Sequence, residues 1–261
     1  MPEVTPQTIY IGVDVATDAR RTNKTFTFLS LDQGLKLVAQ GEGDLEDVVA
    51  YVGSQSQAMV AVNAPRRPNL SLVQGEGTPG DTGSPLDEGG TRNCRVAEYQ
   101  LRQHHIHVLS TSSRRETCPT WVRAGFKLFA LLDKLGFSAY PTPSGPRCSL
   151  EVSAHAVFCT LLGQAPFPPE SVEGRLQRQL VLKEQGLKIK DPMYFFEEVT
   201  SFKLLQGILP LDEIYSAWEL DALAAAYTAW MAGNKPQGLS YLGNEEEGQI
   251  VIPVSTLKDK Y

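Results

Sequence analysis

The stretch Ile9-Tyr10-Ile11-Gly12-Val13-Asp14-Val15-Ala16-Thr17 is apolar on both of its alternating faces and carries a single acid, Asp14, near its end. A strand apolar on both faces belongs at the centre of a parallel sheet covered by helices, and such sheets bind ligands beyond the carboxyl ends of their strands. The stretch therefore predicts a buried central strand that delivers the Asp14 carboxylate to a crevice.

Outward from it, the β-prone runs Lys24 to Leu31 and Leu35 to Ala39 flank Asp32-Gln33-Gly34, a turn that makes an antiparallel meander with the first strand. Asp44 reads as a helix cap, with Leu45, Val48, Val49 and Val52 at helical spacing behind it. Ala58 to Ala64 is a second doubly apolar run, stopped by Pro65, which completes the order β-β-β-α-β. Helical patterns then cover Arg92 to Arg102 and Trp121 to Leu135, and Leu150-Glu151-Val152 reads as a fifth strand. Helices are predicted over Ala156 to Leu162, Glu170 to Gln185, Tyr194 to Gln206 and Ile214 to Ala232, and Gln249 to Val254 alternates like a closing strand. The expectation is one α/β domain over residues 1–261, with a mixed five-stranded sheet, helices on both faces and a helical insertion at about 156–213. Residues 74–91 hold six glycines, two prolines and four acids, the composition of a mobile loop that serves either as a surface excursion or as a lid.

A net charge of −6 excludes a protein that coats nucleic acid by electrostatics alone, though not one that meets a phosphodiester through cations. Cys94, Cys118, Cys148 and Cys159 are scattered, with no CxxC pair, as suits a reducing compartment. No basic segment followed by an apolar one opens the chain, and no apolar run is long enough to span a bilayer, so a cytoplasmic protein without membrane contact is expected.

Meander, helix, strand, helix, strand and then helices is the order of the ribonuclease H-like fold, in which the fourth strand lies parallel beside a central first strand and a late helix crosses near their carboxyl ends. That arrangement sets Asp14 and Asn63 about one ~4.8 Å strand spacing apart and brings Asp221 to them. The segments Gly12-Val13-Asp14, Val60-Ala61-Val62-Asn63-Ala64-Pro65, Arg123-Ala124-Gly125-Phe126, Glu151-Val152 with His155, Gly174-Arg175, Leu220-Asp221-Ala222-Leu223 and Glu247-Gly248-Gln249-Ile250-Val251-Ile252-Pro253 resemble, in order, the domain family of unknown function 429, a family of predicted nucleases with this fold. The resemblance implies a divalent-metal-dependent nuclease that hydrolyses phosphodiester bonds of DNA or RNA. In it, Asp14, Asn63 and Asp221 gather around two Mg²⁺ or Mn²⁺ ions, with Asp14, Glu151 and Asp221 in the catalytic roles.

Where Asn63 stands, the family pattern carries Asp, in a segment of the form Ile-Asp-Ala-Pro. An amide removes one negative charge, so either Glu98, Glu151 or Glu219 completes the site or catalytic power has fallen. Glu151 points away from its apolar neighbours on the strand, either as that substitute or as a polar residue held by an Arg. Glu219 and Asp221 lie on nearly opposite sides of a helix, and the family-like context favours Asp221. His155 is either a proton shuttle or a structural histidine. Arg92, Arg95, Arg123 and Arg175 are the candidate phosphate contacts, because guanidinium groups bind phosphate in a bidentate manner. Two other functions stay open: a binding module without activity, and a phosphoryl-transfer enzyme using Asp14-Val15-Ala16-Thr17 as its phosphate loop.

Overall fold

The computed structural model describes residues 7–15, 25–73, 94–141 and 145–261. Arg92 and the Gly-rich stretch 74–91 lie outside them. Three strands open the fold, β1 (Ile9–Val15), β2 (Phe26–Leu31) and β3 (Leu37–Gly43), followed by helix α1 (Leu45–Gly53) and strand β4 (Ala58–Asn63). Helices α2 (Val96–Gln103) and α3 (Thr120–Lys134) lead to strands β5 (Ser138–Ala139) and β6 (Arg147–Glu151). Helices α4 (Ala154–Leu162), α5 (Val172–Glu184), α6 (Tyr194–Glu198), α7 (Ser201–Leu205) and α8 (Ala217–Asn234) precede the hairpin β7 (Ser240–Asn244) and β8 (Gly248–Ile252).

The sheet is mixed and flanked by helices, with the order β3-β2-β1-β4-β6-β8-β7 and with β5 beside β6. β1 pairs antiparallel with β2 and parallel with β4, and β4 is parallel to β6. Eight strands replace the expected five. Of the three beyond that number, β8 matches the closing strand read over Gln249 to Val254, whereas β5 is two residues long and Ser240-Tyr241-Leu242-Gly243-Asn244 becomes a strand by pairing with β8. The predicted helix over 194–206 is two helices, because Thr200 turns its side chain onto the Lys203 amide and caps a new start.

Strand alternation sorts the core into two layers. Ile11, Val13 and Val15 of β1 and Val60 and Val62 of β4 pack with Val48, Val52, Leu128, Phe129 and Leu132 of α1 and α3. On the other face, Tyr10, Met59, Ala61 and Leu150 pack with α4, α5 and the alanine-rich α8. Gly12 sits directly under α8: a Cβ there would lie 1.8 Å from the Ala222 carbonyl oxygen and 2.3 Å from the Ala226 nitrogen. The absence of that side chain lets the helix backbone rest on the strand, and Asp221 precedes the residue that makes the contact.

Candidate functional site

Because β1, β4 and β6 run parallel, their carboxyl ends share one edge of the sheet, with Asp14 paired to Asn63 and Val62 paired to Glu151. Asp14 is 5% exposed. Asn63 Nδ2 donates to Asp14 Oδ1 at 2.8 Å, and Asn63 Oδ1 accepts from the Ala154 amide at 2.9 Å, at the start of α4. Turning the amide over would set its oxygen against a carboxylate and its NH₂ against an N–H, so this orientation is the only one that satisfies both neighbours. Asn63, expected as a metal ligand, therefore presents a donor to Asp14 and spends its oxygen on α4. The Asn63 amide thus gives Asp14 a neutral hydrogen-bond donor.

Asp221 reaches the same place from α8. The Ser216 capping box starts that helix and uses Glu219, whose carboxylate accepts from the Ser216 amide at 2.8 Å and the Ser216 hydroxyl at 2.7 Å. Asp221 lines the crevice instead. Burial pushes its carboxyl well above the ordinary range, the nearby Asp14 pushes it further, and Arg178 on α5 opposes them. Asp14 and Asp221 thus approach from β1 and α8 near enough for their charges to repel.

Glu151 stands apart from that pair. Alternation along β6 places it on the face of Val62, opposite the face that carries Asp14 and Asn63. There Glu151 is buried with Arg95: Arg95 Nη1 donates to Glu151 Oε2 at 3.0 Å, Arg95 Nη2 pairs with Oε1, and the Arg66 amide donates to Oε2 at 2.8 Å. Glu98 closes the cluster, accepting from Arg95 Nε at 2.9 Å and from the Thr111 amide at 2.9 Å. Burial draws the Arg95 guanidinium down, but Glu151 and then Glu98 outweigh it and hold it above its ordinary value. Glu151 is thus the polar residue held by an Arg. Arg95, expected as a phosphate contact, is a 1% exposed strut between helix α2 and the sheet.

Arg175 is also engaged elsewhere, donating to the carbonyls of Tyr215 at 2.7 Å and Ile214 at 3.0 Å, which ties α5 to the segment before α8. Arg123 is exposed on α3 and contacts Thr120 Oγ1 at 3.4 Å. His155 lines the crevice, and burial, then Arg178, then His107 hold its imidazole below the ordinary value. Beyond the residues singled out in the sequence, Glu247 is fully buried and accepts from the Leu70 amide at 2.6 Å and the Val96 amide at 2.8 Å. Its signal was its place just before Gly248, whose φ of +102° marks a built turn at the foot of the hairpin.

The crevice encloses about 220 Å³ and is lined by Asn63, Arg95, Glu98, Glu151, His155 and Asp221, while Asp14 meets it through its hydrogen bond to Asn63. Among the described residues, no group of three or more His, Cys, Asp or Glu is arranged to hold a metal ion. Asp14 and Asp221 supply two hard oxygen donors, which suits one hydrated Mg²⁺ or Mn²⁺, an ion that keeps several waters. A two-ion centre is poorly served: the Asn63 oxygen is neutral and already accepts from the Ala154 amide, and Glu151 would have to leave a buried ion pair.

Replacing Asn63 by Asp exchanges the donor beside Asp14 for a like charge. In metal-free buffer, Asn63→Asp should lose about 1–3 kcal/mol of stability, read as a lower urea midpoint at unchanged slope. Unchanged stability would mean that the Asn63–Asp14 contact contributes nothing. Scans of the chain against family models, curated proteins and solved structures return no match.

Proposed function

We propose that this chain is a ribonuclease H-like protein of the kind its segments resemble, and that its crevice is a weakened metal-dependent nuclease site. Asp14 and Asp221 hold one Mg²⁺ or Mn²⁺ ion there against a phosphate of DNA or RNA. The observation that carries the reading is the buried carboxylate pair at the carboxyl end of β1, built by the close approach of α8 at Gly12. The strand order supports it: an antiparallel β3-β2-β1 meander, β4 and then β6 parallel beside it, and α8 packed across β1, β2 and β4. A bound divalent ion would polarise a phosphoryl oxygen and acidify a water. The protein's own groups do the rest. Asn63 fixes one oxygen of Asp14, burial and Asp14 raise the proton affinity of the Asp221 carboxyl, and His155, whose proton affinity burial lowers, is available to accept a proton.

A second reading, a binding module without activity, is favoured by the two features that silence potential ligands: the Asn63 amide donated to Asp14, and the Arg95 pairing of Glu151. Calorimetric titration with Mn²⁺, combined with cleavage of labelled single-stranded and duplex oligonucleotides, separates the two. The nuclease reading expects one ion per chain, Mn²⁺-dependent cleavage, and loss of both in Asp14→Asn and Asp221→Asn. Affinity should rise with pH, since protons compete with the cation for the Asp221 carboxylate, whose proton affinity burial and Asp14 raise. In Asn63→Asp, Mn²⁺ should bind more tightly and recover the stability lost without it. Wild-type protein that binds no Mn²⁺ at millimolar concentration would rule out the nuclease reading in favour of the binding module.

A further inference from the structure

The segment from Asp191 to Glu213 takes no part in the crevice, yet it is built with care at its base. Gln179 of α5 is fully buried, and its Nε2 donates to the Lys190 carbonyl at 3.0 Å and the Glu213 carbonyl at 3.4 Å, one at each end of the segment. Its Oε1 accepts from the Tyr215 amide at 2.8 Å. Lys183 pairs with Asp191 at 2.9 Å, and Lys190 Nζ donates to the Asp212 carbonyl at 2.7 Å. One side chain and two lysines close the neck of a lobe that carries α6 and α7.

Above that neck the usual burial is reversed. Helix α6 buries only Phe195, and α7 buries none of its five residues. Phe202 is 71% exposed and Leu205 85%, three positions apart and so on one helical face. Tyr194, Phe196, Leu204 and Ile208 are each more than half exposed. A five-residue helix without a packed face has no means of holding itself in water. At the usual size of large apolar and aromatic side chains, these six together expose roughly 700 Å². That area is close to the ~800 Å² each partner contributes to a standard interface.

We propose that this lobe is a two-fold interface with a second copy of the chain. Charge favours that occupant. From Met193 to Leu211 the only charged residues are Glu197, Glu198 and Lys203, so two chains of net charge −6 meet at their lobes through nearly neutral surfaces. The exposed Lys203–Glu198 pair, 2.8 Å within one chain, re-forms between copies across a two-fold axis at little cost. A lipid surface is the wrong partner for the same segment, since interfacial helices are rich in Lys and Arg on their polar face where this one carries Glu197 and Glu198 against a single Lys203.

Sedimentation velocity of the full chain at ~1 and ~50 μM tests the proposal. The expected result is a two-chain particle, which Phe202→Asp with Leu205→Asp converts to a single chain, weakening association at least about a hundredfold. Both positions are exposed, and an unchanged circular dichroism spectrum establishes that the variant is folded. As a check that needs no charge, Leu205→Cys should cross-link copy to copy with a short bis-maleimide. Wild-type protein that remains a single chain at ~50 μM, or a double variant that pairs as the wild type does, overturns the proposal.

Discussion

Arg95→Met should be among the most destabilising single changes in this protein, costing about 3–5 kcal/mol. The guanidinium is buried between Glu98 and Glu151, and it also donates to the Glu247 carbonyl at 3.3 Å. Its removal leaves two carboxylates, 2% and 3% exposed, without their cation. Thr111 and the Arg66 amide still donate to them but bring no charge. Arg95→Met combined with Glu151→Gln should recover part of the loss at neutral pH, because the amide needs no counter-ion. Urea unfolding of the wild type and both variants at pH 7 reads these effects. A single variant within 1 kcal/mol of wild type would show that the pair contributes no more than a surface bridge.

Gly12→Ala should cost about 3 kcal/mol or more, although it adds one methyl group to a strand. Core overpacking is often relieved by a side chain changing rotamer. Here the new carbon would meet main-chain atoms of Ala222 and Ala226, and a helix backbone cannot step aside without moving the whole of α8. That helix carries Leu220, Leu223 and Tyr227 into the core, so any shift is felt across the layer. The same movement draws Asp221 away from Asp14. The variant should therefore show a melting temperature lower by about 8 °C or more and, where it still folds, weaker Mn²⁺ binding than the wild type. Near-native stability would show that α8 is not seated on β1 through this glycine.

The amino-acid sequence by itself determined the α/β class and the placement of the two central strands. Ile9 to Val15 and Ala58 to Asn63 are apolar on both faces, and only a parallel pair covered on both sides buries all of those side chains. It also determined that Asp14 and Asn63 would be neighbours, because a carboxylate and an amide at the ends of two such strands have one edge to share. That Glu219 and Asp221 take different sides of α8 was legible from helical spacing, and the capping box supplies the reason that Glu219 is engaged. Local pattern could not show what each polar group would find across the fold. That Glu151 reaches the crevice already paired depends on Arg95, fifty-six positions earlier in the chain, and on which face β6 turns toward α2. The direction of the Asn63 amide depends on the Ala154 N–H, which arrives only because α4 starts beside β4. The strand pairing of β5 and β7 and the closed neck of the 191–213 lobe are likewise products of long-range contact. Apolar periodicity records which side of an element is buried, and that is local. The partner of a buried charge is set by packing, and only the tertiary structure decided it.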